Sequence, residues 1–533
     1  MPPFLSIVRR HLPLILLVLW CAAGVGLRCG PSATVLNSPY ALDSLIPLSG
    51  AWALHSGLRI HTDFSSPLGL ACYLPYYWTM ETFGNTANVI RQVDAEIYVV
   101  VSILAFLLLK PPRFSWPVAA LGVALASLVA ASPCAFGDPP TIIWEGDRYN
   151  FLCVALGFLC LLTAASKTNL GAKEAALLAF CLVWAAFVKF NYFAINLAFI
   201  MAATVYSRIT YGTRWLRFYS WLAGCFALFA ALFVLCFRVD LTGMFHDLHM
   251  AAAARFYYVV SVAPNTDYFG ITHHGLSSVV TDIFLVMGHQ LVALLLLALF
   301  AWLQRSLAAG VLVAFVLALD FGQNLFNAYA QALPMISCLF LLGASEGQSQ
   351  PEIRNSTFYR ARQWLFLPVI FYIVWFAAGH IAAFAANLHP PRQCPTIHAA
   401  GFERIYFSGT CDDEKPTSIY ATQLNSGLDL LRLNKLDGRR VFVFDFINPF
   451  PFLLATPYPK GQPVWMHADG TFNLKHYVPA ETILAGTDVV LFPHKPVAPV
   501  TESLIFLFYN HWVLPHYKPV AINGDWAVLV KNK

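Results

Sequence analysis

The feature that most limits the fold is a set of eleven apolar runs, each long enough to cross a lipid bilayer as a helix. A spanning helix needs about 20 mostly apolar residues. Only 11% of the 533 residues are charged, against roughly 25% in soluble domains. The sequence therefore predicts an α-helical polytopic membrane protein with about 11 transmembrane helices. The runs lie near residues 12–28, 93–109, 116–133, 150–166, 174–189, 192–206, 218–237, 279–303, 307–324, 326–344 and 364–385.

Basic residues between the runs predict the orientation, because short cytoplasmic loops are enriched in lysine and arginine. The first run follows a basic start and lacks a small-residue cleavage pattern, so it is expected to stay as a span. With a cytoplasmic N-terminus, the long loops and most acids lie outside, and the odd span count places the C-terminal tail outside too. We expect an inner-membrane protein with a periplasmic tail. The basic residues predicted inside are Arg9, Arg10, Lys110, Arg113, Lys167, Lys173, Arg208, Arg214, Arg217, Arg305, Arg354, Arg360 and Arg362.

The tail differs from the rest of the chain in its pattern. Residues 438–446 and 487–493 are short β-branched and aromatic runs typical of buried strands, and residues 422–436 and 501–512 are predicted helices. Asn523-Gly524 lies between two apolar runs and predicts a hairpin. The sequence thus predicts a transmembrane domain over 1–386 and an extracytoplasmic α/β domain over 387–533. No glycine-rich nucleotide-binding motif is present, and the net charge of +5 gives no reason to expect nucleic acid binding.

The first outer loop, residues 29–92, is far longer than a connection requires. Its segment 42–57 is predicted to form a membrane-surface helix, and its charges have two interpretations. They face water as on any interfacial helix, or they form a reaction site at the membrane border. The ionisable residues of this stretch are Asp43, His55, Arg59, His61 and Asp63.

Carboxylates and cations on the outer side together suit one kind of chemistry. A carboxylate such as Asp43 can remove a proton from an attacking hydroxyl, and basic groups can hold a phosphate whose charge grows as it leaves. Structural alternatives stay open: Asp43 or Ser44 caps a helix, Asp63 orders a turn, and Lys189 reaches the lipid headgroups. The candidate phosphate-binding residues are Arg59, Arg148, Lys189, Arg255, His273 and His274.

Four loose motifs resemble the GT-C superfamily of integral-membrane glycosyltransferases. An acid follows the first span in PYALDS (39–44), and GLRIHTDFSSPLG (57–69) is similar to a loop found in many bacterial members. WEGDRYN (144–150) precedes the fourth span, and an α/β tail ends in a hairpin that contains a tryptophan. The resemblance implies transfer of a hexose or pentose from a polyprenyl-phosphate donor to a lipid, glycan or protein acceptor at the outer face.

The chain departs from the family pattern in two places. Many members carry paired acids in the first loop, whereas here Asp43 is followed by Ser44, and the WWD-type motif of oligosaccharyltransferases is absent. Protein N-glycosylation is therefore not expected. A divalent cation, Mg²⁺ or Mn²⁺, would have to be bound jointly by Asp43 and by Glu145 or Asp147. Asp63 is a further candidate for a supporting acid.

Three other functions remain open from the sequence. A transporter or flippase of a lipid-linked or small substrate would carry charged groups or broken helices at mid-membrane and an internal repeat, and no such repeat is visible. A ligase or polymerase of lipid-linked glycans and an acyltransferase are the others. Cys394 and Cys411 are predicted to form a disulfide if the tail lies in an oxidising compartment.

Overall fold

The computed structural model describes residues 3–36, 41–133, 148–260, 265–266, 272–273, 310–312, 314–315, 366–390, 394–408, 416–468 and 470–532. The helices of the first part are α1 (Pro3–Cys29), α2 (Leu45–His55), α3 (Leu74–Phe83), α4 (Val89–Leu109), α5 (Trp116–Ala130), α6 (Arg148–Ala164), α7 (Ala172–Val188), α8 (Phe190–Tyr211), α9 (Leu216–Phe237), α10 (Leu241–Val260) and α11 (Phe366–Leu388). Short strands β1 (Thr34–Leu36), β2 (Asn265–Thr266) and β3 (Thr272–His273) lie between them.

Apolar helices of spanning length confirm the membrane class of the chain. Among the described residues, five helices are long and apolar enough to cross a bilayer: His11–Cys29, Val89–Leu109, Phe190–Tyr211, Leu216–Phe237 and Val369–Leu388. Helices α5, α6 and α7 coincide with three more predicted runs, but at 15, 17 and 17 residues they are shorter than these five helices. The predicted runs 279–303, 307–324 and 326–344 lie almost wholly outside the described residues, so the count of eleven stays a prediction.

One end of the helix bundle gathers the short basic loops. Arg113 pairs with Glu174 at 2.9 Å, and the backbone N–H of Arg214 donates to Asn169 Oδ1 at 2.9 Å. These contacts show that the loops that precede α5, α7 and α9 lie at the same end of the bundle. Since α9 leads directly into α10, residues 238–247 lie at the opposite end. The predicted grouping of short basic loops on one side is therefore consistent with the helix arrangement.

Buried arginines close the other end of the bundle. An α-helix leaves its last four carbonyls without partners inside the helix, and a cation near them offsets the helix dipole. The side chain of Arg28 donates to Ala131 O at 3.4 Å, just past α5, and its guanidinium lies 4.2 Å from the centre of the Tyr98 ring. Arg148 donates to Ser132 O. The C-terminal end of α5 thus obtains hydrogen-bond donors from two arginine side chains.

The tail is built on a four-stranded sheet with strand order β5-β6-β8-β7. Strands β5 and β6 are parallel, and β6–β8 and β7–β8 are antiparallel. These strands and helices coincide with those predicted from the sequence, whereas the α/β domain and its boundary at residue 387 stay predictions. The elements are β4 (Ile405–Phe407), α12 (Pro416–Leu433), β5 (Val441–Val443), α13 (Phe450–Leu454), α14 (Ala480–Ile483), β6 (Val489–Pro493), α15 (Pro499–His516), β7 (Tyr517–Ile522) and β8 (Trp526–Lys531).

Helix α2 differs from the surface helix that its sequence predicts. Nine of its 11 residues, Leu45–Ala53, are buried. The indole N–H of Trp52 donates to Thr456 O at 2.7 Å, and the N–H of Tyr458 donates to Ser56 Oγ at 3.1 Å. The tail therefore covers the face that the sequence assigned to lipid and water. A parallel pairing of β1 with β4 attaches the start of the tail to the segment that follows α1.

Candidate functional site

Residues 59–64 form a tight turn stabilised by their own polar groups. The N–H of Asp63 donates to Arg59 O at 2.8 Å, and the N–H of Arg59 donates to Asp63 Oδ2 at 2.9 Å. His61 has a φ of 64°, in the left-handed region that residues with a Cβ rarely adopt. The turn holds its acid and its two basic side chains in a fixed arrangement.

Asp63 links this turn to the tail. Its Oδ1 accepts from Lys460 Nζ at 2.9 Å, and its carbonyl accepts the N–H of Gly461 at 2.7 Å. Partial burial raises the pKa of Asp63, but the N–H of Arg59 and the ammonium of Lys460 outweigh that effect and the pKa is lowered overall. Asp63 is therefore a structural carboxylate in this conformation, paired with a cation that no sequence motif indicates.

His61 links the turn to α10. Its Nδ1 lies 2.7 Å from Asp247 Oδ2, and the two side chains are 1% and 10% exposed. The same carboxylate oxygen accepts the N–H of Ser66 at 3.0 Å, and Ser66 Oγ lies 2.6 Å from the Tyr73 hydroxyl. The loop is thus fixed to α10 through a single carboxylate, Asp247.

The loop ends against the junction of α7 and α8, where Lys189 lies. The N–H of Gly69 donates to Val188 O at 2.9 Å, and a Cβ at Gly69 would lie 2.2 Å from Phe187 O, so no larger residue fits. Lys189 Nζ donates to Asn150 Oδ1 at 3.3 Å. The structure therefore brings loop 57–69, Lys189, α10 and the tail together at the end of the bundle opposite the basic loops.

A cavity of about 380 Å³ lies between these elements. The loop contributes Ser65, Ser66 and Pro67, and α10 contributes Asp247 and its neighbours. Its tail side is largely aromatic and apolar, with Trp465, Met466, Phe472, Tyr477 and Tyr509. The cavity thus has a polar wall and an aromatic wall.

Asp43, the predicted base, lies on a 3₁₀ turn over Ala41–Ser44 that runs directly into α2. Its side chain is partly exposed, whereas the residues that follow are buried. Ser44 occupies the position before α2 and makes no side-chain capping bond. Asp43 is held in place by the burial of α2, and its role as a base stays a prediction.

Arg148 occupies a different setting from the one its motif indicated. Its side chain is 2% exposed and pairs with Asp94 of α4, to which Nη2 donates at 2.7 Å. The Arg148 charge is therefore already balanced by a carboxylate inside the bundle. Phosphate binding by Arg148 would require that pair to open.

The remaining predicted residues have fewer described features. Arg255 lies on α10, and His273 lies on β3 opposite Asn265, with side chains outside the described part. Cys394 is disulfide-bonded, and its predicted partner Cys411 is among the residues that are not described. Glu145, Asp147 and His274 also lie outside the described residues. The cation site therefore stays a prediction, and the described residues contain no group of three or more metal-ligating side chains.

Sequence reasoning missed Asp247 and Lys460 as partners of the loop. The sequence predicts that Asp247 is one of several acids on the outer side and indicates no role for it. Lys460 lies in a segment of the tail that contains no motif. The signal was weak because both partners are far from the loop in sequence, 186 residues away for Asp247.

Solved structures that are similar to this chain include the following three. ArnT from Cupriavidus metallidurans bound to undecaprenyl phosphate has 12% identity and a TM-score of 0.48, and the alignment covers 97% of each chain. ArnT in the apo state gives 12% identity and a TM-score of 0.44, again over 97% of each chain. The archaeal oligosaccharyltransferase AglB from Archaeoglobus fulgidus, in complex with an inhibitory peptide and a dolichol-phosphate, gives 11% and 0.37, covering 99% of this chain and 75% of that one.

All three alignments have identities of 12% or lower and TM-scores below 0.5. No protein-family model matches the sequence, and no curated protein does either. Function is therefore argued below from this chain's own residues.

Proposed function

We propose that the chain is a membrane glycosyltransferase that uses a polyprenyl-phosphate sugar as donor. The sugar, a hexose or pentose, would be transferred to a lipid, glycan or protein acceptor at the outer, periplasmic face. The observation that carries the proposal is the meeting of loop 57–69, Lys189, α10 and the tail at one end of an apolar helix bundle. A lipid phosphate lies at that depth, with its hydrocarbon chain beside the helices.

The reaction needs a base for the acceptor and a cation for the leaving phosphate. Asp43 would take the proton of the acceptor hydroxyl as its oxygen attacks the anomeric carbon. The bond from that carbon to the phosphate oxygen breaks, and the phosphate departs with the lipid. Lys189, Arg59 and Arg255 are the candidates for stabilising the charge that grows on the phosphate.

The test uses purified protein in lipid nanodiscs with a radiolabelled polyprenyl-phosphate sugar. Asp43→Asn keeps the side-chain shape and removes the proton acceptor, so turnover should fall by a factor of about 10² to 10⁴ while donor binding persists. Arg255→Ala should instead weaken donor binding, because the phosphate loses a charge-assisted partner.

Asp429→Asn is the matched control. It makes the same chemical change on the exposed surface of the tail, where Asp429 pairs with Arg432 at 3.5 Å. Near-normal turnover by Asp43→Asn would remove that residue as the base. Absence of any transfer by the wild-type protein, across hexosyl and pentosyl donors that it binds, would overturn the proposed function.

A further inference from the structure

Among the described residues, one oxygen of the Asp247 carboxylate has hydrogen-bond partners and the other has none. Oδ2 accepts from Ser66 N–H at 3.0 Å and lies 2.7 Å from His61 Nδ1. Oδ1 accepts no hydrogen bond from the described residues, and it is not among the fully buried atoms. Asp247 lines the 380 Å³ cavity, so a hydroxyl group of a molecule bound there can approach this carboxylate.

The side of the cavity that the tail contributes is aromatic. Trp465, Phe472, Tyr477 and Tyr509 line it from the tail, and Tyr477 is stacked flat on Phe508 with ring centres 4.3 Å apart. Aromatic rings offer a large apolar surface with little loss of conformational freedom. The cavity volume falls at the small end of the range of about 300–1,000 Å³ typical of small-molecule sites.

A pyranose or furanose ring matches these two walls. It presents apolar C–H groups on a face, which pack on aromatic rings, and hydroxyl groups at its edge. A hydroxyl that donates to an ionised carboxylate makes a short, strong hydrogen bond. Ser65, Ser66, Thr471 and Thr482 also line the cavity. The hydroxyl groups of Ser66 and Thr471 already accept the N–H groups of Leu68 and His467.

We propose that this cavity binds a sugar ring, with Oδ1 of Asp247 accepting a ring hydroxyl and His61 fixing the carboxylate. The assignment rests on the proposed function in one respect: the bound ring is taken as the carbohydrate part of the acceptor. His61 is a positioning residue, since it acts through Asp247.

The experiment is saturation-transfer NMR on the purified full chain in nanodiscs. The probes are methyl α-D-mannopyranoside, methyl β-D-galactopyranoside and methyl α-L-arabinofuranoside, with cyclohexanol and choline as controls. At least one glycoside should receive saturation, and Asp247→Asn should weaken its binding by about ten- to a hundred-fold. Asp429→Asn should leave binding unchanged.

Ala251→Phe provides a second route that leaves the Asp247 hydrogen bonds intact. Residue 251 is one helical turn after Asp247 on the same face of α10 and lines the cavity, so a phenyl group there should fill the space and abolish glycoside binding. His61→Ala should weaken binding less than Asp247→Asn. If cyclohexanol binds as strongly as the glycosides, the cavity is merely apolar and the proposal is overturned.

Two results separate this inference from the proposed function. Glycoside binding that depends on Asp247, with no sugar transfer by the wild-type protein, supports the cavity and contradicts the transferase. Transfer activity without glycoside binding supports the transferase and overturns the sugar site. The same conclusion follows if the wild-type protein transfers sugar but Asp247→Asn and Ala251→Phe bind the glycoside as strongly as it does. Stronger saturation of choline than of every glycoside also overturns it.

Discussion

The Nδ1 atom of His61 lies 2.7 Å from Oδ2 of Asp247, across 186 residues of sequence. With Asp247 as the acceptor, the donor in this contact is the N–H of the His61 tautomer protonated at Nδ1. The pair joins the first outer loop to α10 and leaves Oδ1 of Asp247 accessible. It therefore connects the stability of the loop to the shape of the cavity.

The first prediction concerns the stability that this pair contributes. His61→Ala should lower the thermal unfolding temperature, because Asp247 loses a hydrogen bond in a nearly buried setting, which costs about 1–3 kcal/mol. His55→Ala is the control: His55 also lies 2.7 Å from an acid, Glu81, but both side chains are over 40% exposed. An exposed pair contributes about 0–1 kcal/mol. Equal shifts for the two variants, measured by intrinsic fluorescence, would contradict a structural role for His61.

The second prediction concerns Asp63. Asp63→Asn removes the charge that pairs with Lys460 but keeps a hydrogen-bond acceptor for the N–H of Arg59. We expect an intermediate loss of transfer activity, because the loop is loosened while Asp43 is untouched. Lys460→Met should give a similar loss, since it breaks the same contact from the tail. Complete loss in Asp63→Asn together with normal activity in Lys460→Met would move the base assignment to Asp63.

The third prediction concerns pH and Asp445. This buried carboxyl accepts N–H groups of Phe446, Val497 and Ala498, but burial outweighs them and raises its pKa to about 6. Between about pH 4 and pH 6 the unfolded chain is ionised at this residue and the folded chain is protonated. This residue's contribution is therefore full below about pH 4 and falls by about 3 kcal/mol as the pH rises to 6.

Asp445→Asn is the variant that isolates this effect. It is neutral at every pH, so its unfolding temperature relative to the wild type should rise between pH 4 and pH 6.5. A constant difference across that range would show that the wild-type carboxyl stays ionised in the fold.

The fourth prediction concerns the disulfide. We expect Cys394 to pair with Cys411, which closes a loop of about 17 residues and stabilises the start of the tail by about 3 kcal/mol in the chain-entropy model. Neither thiol should react with maleimide before reduction, whereas the free, exposed Cys29 should react. Alkylation of both residues in non-reduced protein would rule out the bond.

The fifth prediction concerns orientation. Single cysteines at Lys110, Lys173 and Arg214 should be labelled only from the cytoplasm, and a cysteine at Leu433 only from the outside. Leu433 is 80% exposed in the tail, so its labelling depends on sidedness and not on burial. Cytoplasmic labelling at Leu433 would place the tail inside and contradict transfer at the outer face.

The sequence predicts the helices and the tail strands well, because each depends on a local pattern. An apolar run of 17–22 residues forms a helix in almost any membrane context, and Asn523-Gly524 turns the chain whatever surrounds it. Contacts over long distances left no such signal. Asp94 lies inside a predicted span, and nothing near Arg148 indicates that these two charges meet.

Helix α2 shows the same limit for burial. Its apolar residues predict that one face is shielded from water. The same residues would be found on that face whether lipid or protein covers it. The cover comes from Asn448, Thr456 and Tyr458 in the tail, and a local pattern contains no information about so distant a partner.

That distance has a consequence for how the chain is made. Trp52 is synthesised about four hundred residues before Thr456, to which it donates its hydrogen bond. During translation α2 therefore emerges early, and the part of its surface that the tail covers stays without that partner until nearly the whole chain has followed. Contacts between such distant residues form late and leave the intermediate open to wrong associations. A chain that stops before residue 456 therefore lacks the hydrogen-bond acceptor of Trp52.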